Sequence, residues 1–337
     1  MLDISTLDKF DKEGMYKVYD RWPQIARESY ESNLEPIDFN DIDHIVFSGM
    51  GGSGAIGDLF SAILSKTAIH VNVVKGYLLP KTVDENTLVI AISISGNTRE
   101  TLSILESAHK SNCKKITFSS RGKMKSYSEK NGIEYRKIPE LHSPRASFSG
   151  YVYSILKVLN SVIPIQKNDI LESLEQLEKT SQKINSNNLT ETNPSLELAE
   201  WISGIPLIYY PFGLQAAAIR FKNSMQENAK SHVIAEDVIE ACHNEIVSWE
   251  KTSSVQPILL QGTDDYIKTK ERWTILKEYF KENNIDFREV FSVNGSIFSK
   301  LINLIYFLDY TSIYKAIIQQ IDPSPIKSID FVKKRLN

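Results

Sequence analysis

The run Ser93-Ile-Ser-Gly-Asn-Thr98 places three hydroxyl side chains, Ser93, Ser95 and Thr98, around one short turn. It follows the apolar run Leu88-Val-Ile-Ala-Ile, which reads as a buried parallel strand, and precedes an amphipathic helical pattern from Arg99 to about His109. A strand entering a helix through such a turn gathers hydroxyls and free backbone N–H groups at the positive end of a helix dipole. That is a seat for a phosphate. The turn contains no lysine, so it is not the Gly-Lys-Ser/Thr loop of nucleoside triphosphate sites. A compact phosphomonoester fits it better.

A second loop, Met50-Gly-Gly-Ser-Gly-Ala-Ile-Gly57, matches Gly-x-Gly-x-x-Gly over residues 52–57. A dinucleotide site would also need a carboxylate at the end of the following strand, to hold the ribose hydroxyls. Here Val71-Asn-Val-Val is followed by Lys75 and Gly76, so that partner is missing. The lone motif is a weak sign of a dinucleotide site. Small residues that let the backbone approach a sugar phosphate, with Ser53 donating a hydrogen bond, fit better, and a glycine turn made only for tight strand–helix packing is the plain alternative.

Further along lie Glu227-Asn-Ala-Lys230 and Cys242-His-Asn-Glu245. Glu227 ends the apolar helical run that begins near Gly213, a core boundary where a carboxylate suits general-base work. His243 can exchange protons near neutral pH. Each also has a plain reading, Glu227 as a solvated helix residue and His243 as a structural histidine. The six histidines never fall at helical metal-ligand spacing, so a zinc-dependent mechanism is not expected.

The elements that must position these groups alternate. Strands are expected at Ile45–Ser48, Val71–Val74, Leu88–Ile94, Lys115–Phe118 and Ile133–Lys137, with helices at Gly54–Ser65, Thr98–His109 and Lys123–Asn131 between them. A second series follows: strands Ile205–Tyr210, Gln256–Gln261 and Phe287–Phe291, with helices Leu214–Glu227, Lys268–Lys281 and Ser296–Leu308. Residues 12–33 and Phe148–Val162 read as additional helices, and Lys179–Pro194 as a polar surface connection. The fold class is α/β, with two tandem doubly wound domains at 1–153 and 154–337. Such sheets bind ligands at the carboxyl ends of their strands, where Ser93–Thr98 falls.

A length of 337 residues allows two cores, and a net charge of −3 gives no pull toward nucleic acid or anionic membrane. Cys113 and Cys242 are far apart, the N-terminus is too charged for a signal peptide, and no run reads as long enough to span a membrane. The expected setting is the cytoplasm.

Taken in order, the glycine loop, the Ser-Ile-Ser-Gly-Asn-Thr turn, Ser143-Pro-Arg145 and Cys242-His-Asn-Glu-Ile246 resemble the bifunctional phosphoglucose/phosphomannose isomerases of the sugar isomerase (SIS) superfamily. The resemblance runs from about residue 14 to the C-terminus. It implies two SIS domains and a metal-independent aldose–ketose isomerase acting on glucose 6-phosphate, mannose 6-phosphate and fructose 6-phosphate through a cis-enediol. It assigns Ser53, Ser93, Ser95 and Thr98 to the substrate phosphate, and Gly51 and Gly52 to close backbone approach. Arg145 would stabilise the anionic intermediate, Glu227 would be the base and His243 would assist ring opening. A lysine near the C-terminus is also implied, Lys333 or its neighbour Lys334. In related enzymes the histidine reaches the site from a neighbouring subunit, which implies a homodimer. Arg121 and Ser248 stand where the family pattern has glycine, and Ser324 where threonine is common. The rival readings are a non-catalytic sugar-phosphate sensor, although no DNA-binding element is visible, and an isomerase restricted to one hexose phosphate.

Overall fold

The computed structural model describes residues 2–336. They pack as two compact units that are not contiguous in sequence. One unit comprises Arg21–Leu177 and Gly295–Ile302; the other comprises 2–20, 178–294 and 303–336.

The first unit is built on five parallel strands: β1 (His44–Ser48), β2 (His70–Val74), β3 (Thr87–Ile92), β4 (Lys114–Ser119) and β5 (Glu134–Lys137). Their order is β2-β1-β3-β4-β5. Every residue of β1 and β3 is buried, as their unbroken apolar character requires of strands covered on both faces. Strand order reverses between β1 and β3, so the crevice of this sheet opens where those two strands end. Helices Gly52–Leu64 and Arg99–His109 begin at that point.

The second unit repeats the plan with four parallel strands: β6 (Ile205–Tyr210), β7 (Ile234–Asp237), β8 (Val255–Gln261) and β9 (Arg288–Phe291), ordered β7-β6-β8-β9. Here the reversal lies between β6 and β8. After β6, Gly213 at φ +96° leads into helix Gln215–Asn228. After β8, the Asp265 carboxylate accepts the Gly262 amide at 3.1 Å and the Trp273 indole N–H at 3.0 Å, ahead of helix Ile267–Glu282.

Two parallel-sheet α/β units were the expected architecture. Two local expectations need correction, and one strand was not foreseen. Lys179–Ile184 is not surface connection but the last turns of helix Lys167–Ile184. Its buried stripe runs Ile170, Leu174, Leu177, Ser181, Ile184, and the serine in that stripe masks its continuation. Strand β7 escapes notice because it is a short, acidic edge strand with Ile234 exposed. The expected Ser296–Leu308 helix runs from Ile297 to Ile318, and by length and composition it could cross a membrane. Its most apolar stretch is 89% buried inside the protein, and it carries Lys300, Asp309 and Lys315 in buried positions. These are marks of a core helix.

Candidate active site

In the first unit the glycine loop and the serine turn meet. Gly51 is exposed at φ +54° and precedes the helix, whose first residues are Gly52 and Ser53. Ser53 is buried, and its hydroxyl accepts the Ile94 amide at 3.4 Å. Inside the turn Ser93 is fully buried; its hydroxyl donates to Thr98 Oγ1 at 2.9 Å and accepts the Thr98 amide at 3.4 Å. The Ser95 hydroxyl accepts the Asn97 amide at 3.3 Å. Ser95 and Thr98 are both half-buried, and so are more open to solvent than Ser93. Thr98 caps helix Arg99–His109 without a side-chain hydrogen bond to it, which leaves the N–H groups of the first turn for an anion.

Gly96 fixes this geometry. Its φ is +69°, and a Cβ there would lie 1.6 Å from the Arg121 carbonyl oxygen. Asn97 continues the contact, with Oδ1 accepting the Lys123 amide at 3.0 Å. The loop after β4 therefore buttresses the turn through its backbone, and the Arg121 side chain is free to pair with Glu140 at 2.8 Å.

The backbone of Arg145 packs against the same glycine loop. A Cβ on Gly52 would lie 3.1 Å from the Pro144 carbonyl oxygen and 3.3 Å from the Arg145 Cα, so the Ser143–Arg145 segment rests directly on the glycine loop. Arg145 is buried. The Trp22 indole N–H donates to the Ala146 carbonyl at 3.1 Å and its ring stacks on Phe148, which pins the backbone just after the arginine. The position where a dinucleotide site needs an acid holds Lys75, paired with Asp58 at 2.5 Å.

The second unit carries the remaining candidates. Glu227 is half-buried on the last turn of helix Gln215–Asn228. Three polar contacts seat that helix on helix Ile297–Ile318: Arg220 to Asp309 at 2.7 Å, Ser224 to Asp309, and Asn228 to Ser312 at 2.9 Å. Arg220, Ser224 and Glu227 follow one another at helical spacing, so the buried ion pair sets the face on which Glu227 stands. The Lys230 ammonium ties the end of this helix to the Glu227 carbonyl and, at 3.2 Å, to the Pro323 carbonyl. The Asp322–Pro325 segment is thereby held beside it.

His243 is exposed in the turn after β7 and the short helix Val238–Ala241. Lys333 and Lys334 lie on helix Lys327–Arg335, which buries none of its residues. Sequence inspection missed Asp309 and Arg220. The signal was available: each is a charged residue inside an apolar helical run, where burial demands a partner.

Comparison with known proteins identifies the domains and the family. Residues 38–139 match the SIS domain, and residues 191–336 match the bacterial phospho-glucose isomerase C-terminal SIS domain. A bifunctional phosphoglucose/phosphomannose isomerase of Caldicellulosiruptor bescii is 33% identical over 329 residues, covering 93% of this chain and 96% of the relative.

The chain belongs to the bifunctional phosphoglucose/phosphomannose isomerase family.

A second member, from Aquifex aeolicus, is 30% identical over 330 residues and covers 96% of each chain. Among solved structures, a hypothetical protein of Thermus thermophilus superposes with a TM-score of 0.74 at 14% identity, covering 98% of this chain and 93% of that one, which speaks to fold alone. As a member of this isomerase family the chain is an enzyme, and its two sheets are its two SIS domains.

Proposed function

We propose that this isomerase interconverts glucose 6-phosphate and mannose 6-phosphate with fructose 6-phosphate, without metal or redox cofactor. The observation that carries the reading is the convergence of Ser53, the Ser93–Thr98 turn and Arg145 at the ends of β1 and β3. It supplies hydroxyls, an uncapped helix N-terminus and one buried guanidinium, which is what a sugar carrying a single phosphate requires.

In this reading Ser53, Ser95 and Thr98 hold the phosphate, with Ser93 setting the position of Thr98. Gly51 and Gly52 allow the sugar close to the backbone. His243, assisted by Lys333, passes a proton to the ring oxygen and opens the ring. Glu227 removes the C2 proton, giving a cis-enediol, and returns the proton to C1. Arg145 offsets the negative charge that gathers on the enediolate oxygens. Binding energy from the remote phosphate orients the reacting carbons.

A homodimer in which His243 serves the neighbouring subunit completes the proposal. Its support is the family, together with the exposed Ile329, Phe331 and Val332 on the C-terminal helix, an apolar surface suited to a second copy. Two free cysteines, one of them buried, accord with a reducing cytoplasm.

The deciding experiment assays glucose 6-phosphate and mannose 6-phosphate side by side in chelator-treated buffer, read as fructose 6-phosphate formed. Turnover of both supports the proposal. Binding without turnover would make the protein a sensor, and turnover of one alone would restrict it to a single epimer.

A further inference from the structure

Tyr209 lies on β6, fully buried among Leu207, Val238, Ala241, Leu259 and Phe280. A phenolic hydroxyl in such a cluster is costly unless it is hydrogen-bonded. It has two partners, at opposite ends of the short 3-10 helix Glu245–Glu250. The hydroxyl donates to the Glu245 carboxylate and accepts the Trp249 indole N–H at 2.8 Å. That helix contains no fully buried residue, so these two bonds, with the partial packing of Ile246 and Trp249, are what fasten it to the sheet.

The residues between this fastening and β7 are equally committed. The His243 amide donates to the Glu240 carbonyl at 2.9 Å. The Asn244 side chain donates to Glu240 Oε1 at 2.8 Å and accepts the Glu245 amide at 2.6 Å. Asp237 caps the short helix before them through the Ile239 amide at 2.8 Å. The imidazole is exposed, yet the backbone that carries it is held on both sides.

We propose that Glu245 is a positioning residue for His243, acting through the Tyr209 hydroxyl to clamp the His-Asn-Glu segment onto β6. One Glu245 oxygen is committed to that bond, and the role proposed here acts through it. Burial raises the carboxyl of Glu245 above its usual range, and burial followed by this hydrogen bond raises Tyr209 as well. Both directions accord with a buried phenol paired to a partly buried carboxylate. The inference rests on the role given to His243 above.

The test compares Glu245→Ala, Glu245→Gln, His243→Ala and the Glu245→Ala/His243→Ala double variant. Each is measured for kcat and KM with fructose 6-phosphate and for amide hydrogen exchange across residues 243–250. Glu245→Ala should lower kcat by about 10-fold to 100-fold, the range for misplacing a reacting group, with KM nearly unchanged. Glu245→Gln should restore most of kcat, because its amide oxygen still accepts from Tyr209. The double variant should be no slower than His243→Ala alone, and exchange in 243–250 should rise in Glu245→Ala. Additive losses in the double variant, or unchanged exchange, would overturn the clamp. A fully active His243→Ala with raised exchange in Glu245→Ala would instead support the clamp and overturn the chemical role of His243.

Discussion

The Ser53 hydroxyl accepts the amide of Ile94 at 3.4 Å, joining two loops that are 41 residues apart in the chain. One loop follows β1 and the other follows β3, on either side of the point where strand order reverses. Their serines divide into two sets. All four hydroxyls are bonded within the loops, but Ser53 and Ser93 are buried whereas Ser95 and the threonine Thr98 are half-buried. On the proposed reading Ser95 and Thr98, the more open pair, meet the phosphate together with Ser53, and Ser93 sets the shape of the turn.

Removing the second set should therefore weaken substrate binding while leaving the fold intact. For Ser95→Ala with Thr98→Ala, each lost bond to a charged group is worth roughly 1.5–3 kcal/mol. KM for fructose 6-phosphate should rise at least about tenfold, with a modest fall in thermal midpoint because the buried Ser93 hydroxyl loses its acceptor at Thr98. An unchanged KM would move the phosphate elsewhere.

Gly96→Ala should behave differently, because the new methyl must displace the Arg121 carbonyl from a separation of 1.6 Å at a backbone angle of +69°. Strain of this kind costs on the order of 1–3 kcal/mol at one residue, before the displaced loop is counted. The expected result is a lower melting temperature together with a raised KM. Wild-type values of both would show that the turn tolerates a different shape.

Glu227→Gln tests the base. The amide keeps the size and loses the proton acceptor, so kcat should fall by about 10²–10⁴-fold, the usual contribution of a positioned acid–base group. Exchange of the C2 hydrogen with solvent deuterium should fall in parallel. Wild-type exchange would place the base on another residue.

Asp309→Ala leaves the buried Arg220 guanidinium without its ion-pair partner. Breaking a buried pair in this way costs about 3–5 kcal/mol. Denaturant titration should show that loss, and activity should decline as well, because the same helix carries Glu227. A loss of stability below about 1 kcal/mol would mean that the pair contributes as little as a surface one.

Glu172 gives the acid limb of stability. Its carboxylate accepts the Ser296 amide at 2.9 Å and the Ser299 hydroxyl at 2.8 Å. These bonds, the backbone one first, hold its pKa below the ordinary 4.5. A depressed carboxyl stabilises the fold above its unfolded pKa, and that contribution is lost as pH falls through the folded value. The melting temperature of wild type should accordingly fall more steeply below about pH 4.5 than that of Glu172→Gln, and parallel acid limbs would remove this residue from the account.

What was legible in the sequence was what is local. Strands β1, β3, β6 and β8 announce themselves because interior parallel strands must be apolar along their length. The Ser93–Thr98 turn was legible because its chemistry sits in consecutive residues. Strand β7 was not, since an edge strand can carry Glu236 and Asp237. Helix Lys167–Ile184 was hidden where Ser181 replaces an apolar residue in the stripe. The supports of the candidate site were equally out of view: Gly96 against Arg121, Gly52 beneath Arg145, and Arg220 with Asp309 join residues that only the folded chain makes neighbours.

The loop after β8 has a consequence of its own. It occupies, in the second sheet, the station that the serine turn occupies in the first, and there the Asp265 carboxylate has taken the Gly262 amide for itself. For a doubly charged phosphate the two crevices are thus opposites, one lined with donors and the other already answered by a negative charge. A duplicated architecture carries with it the risk of a duplicated address, with a ligand settling in the wrong copy. On the proposed reading one aspartate removes that ambiguity, and the second SIS domain is left to the proton-transfer residues.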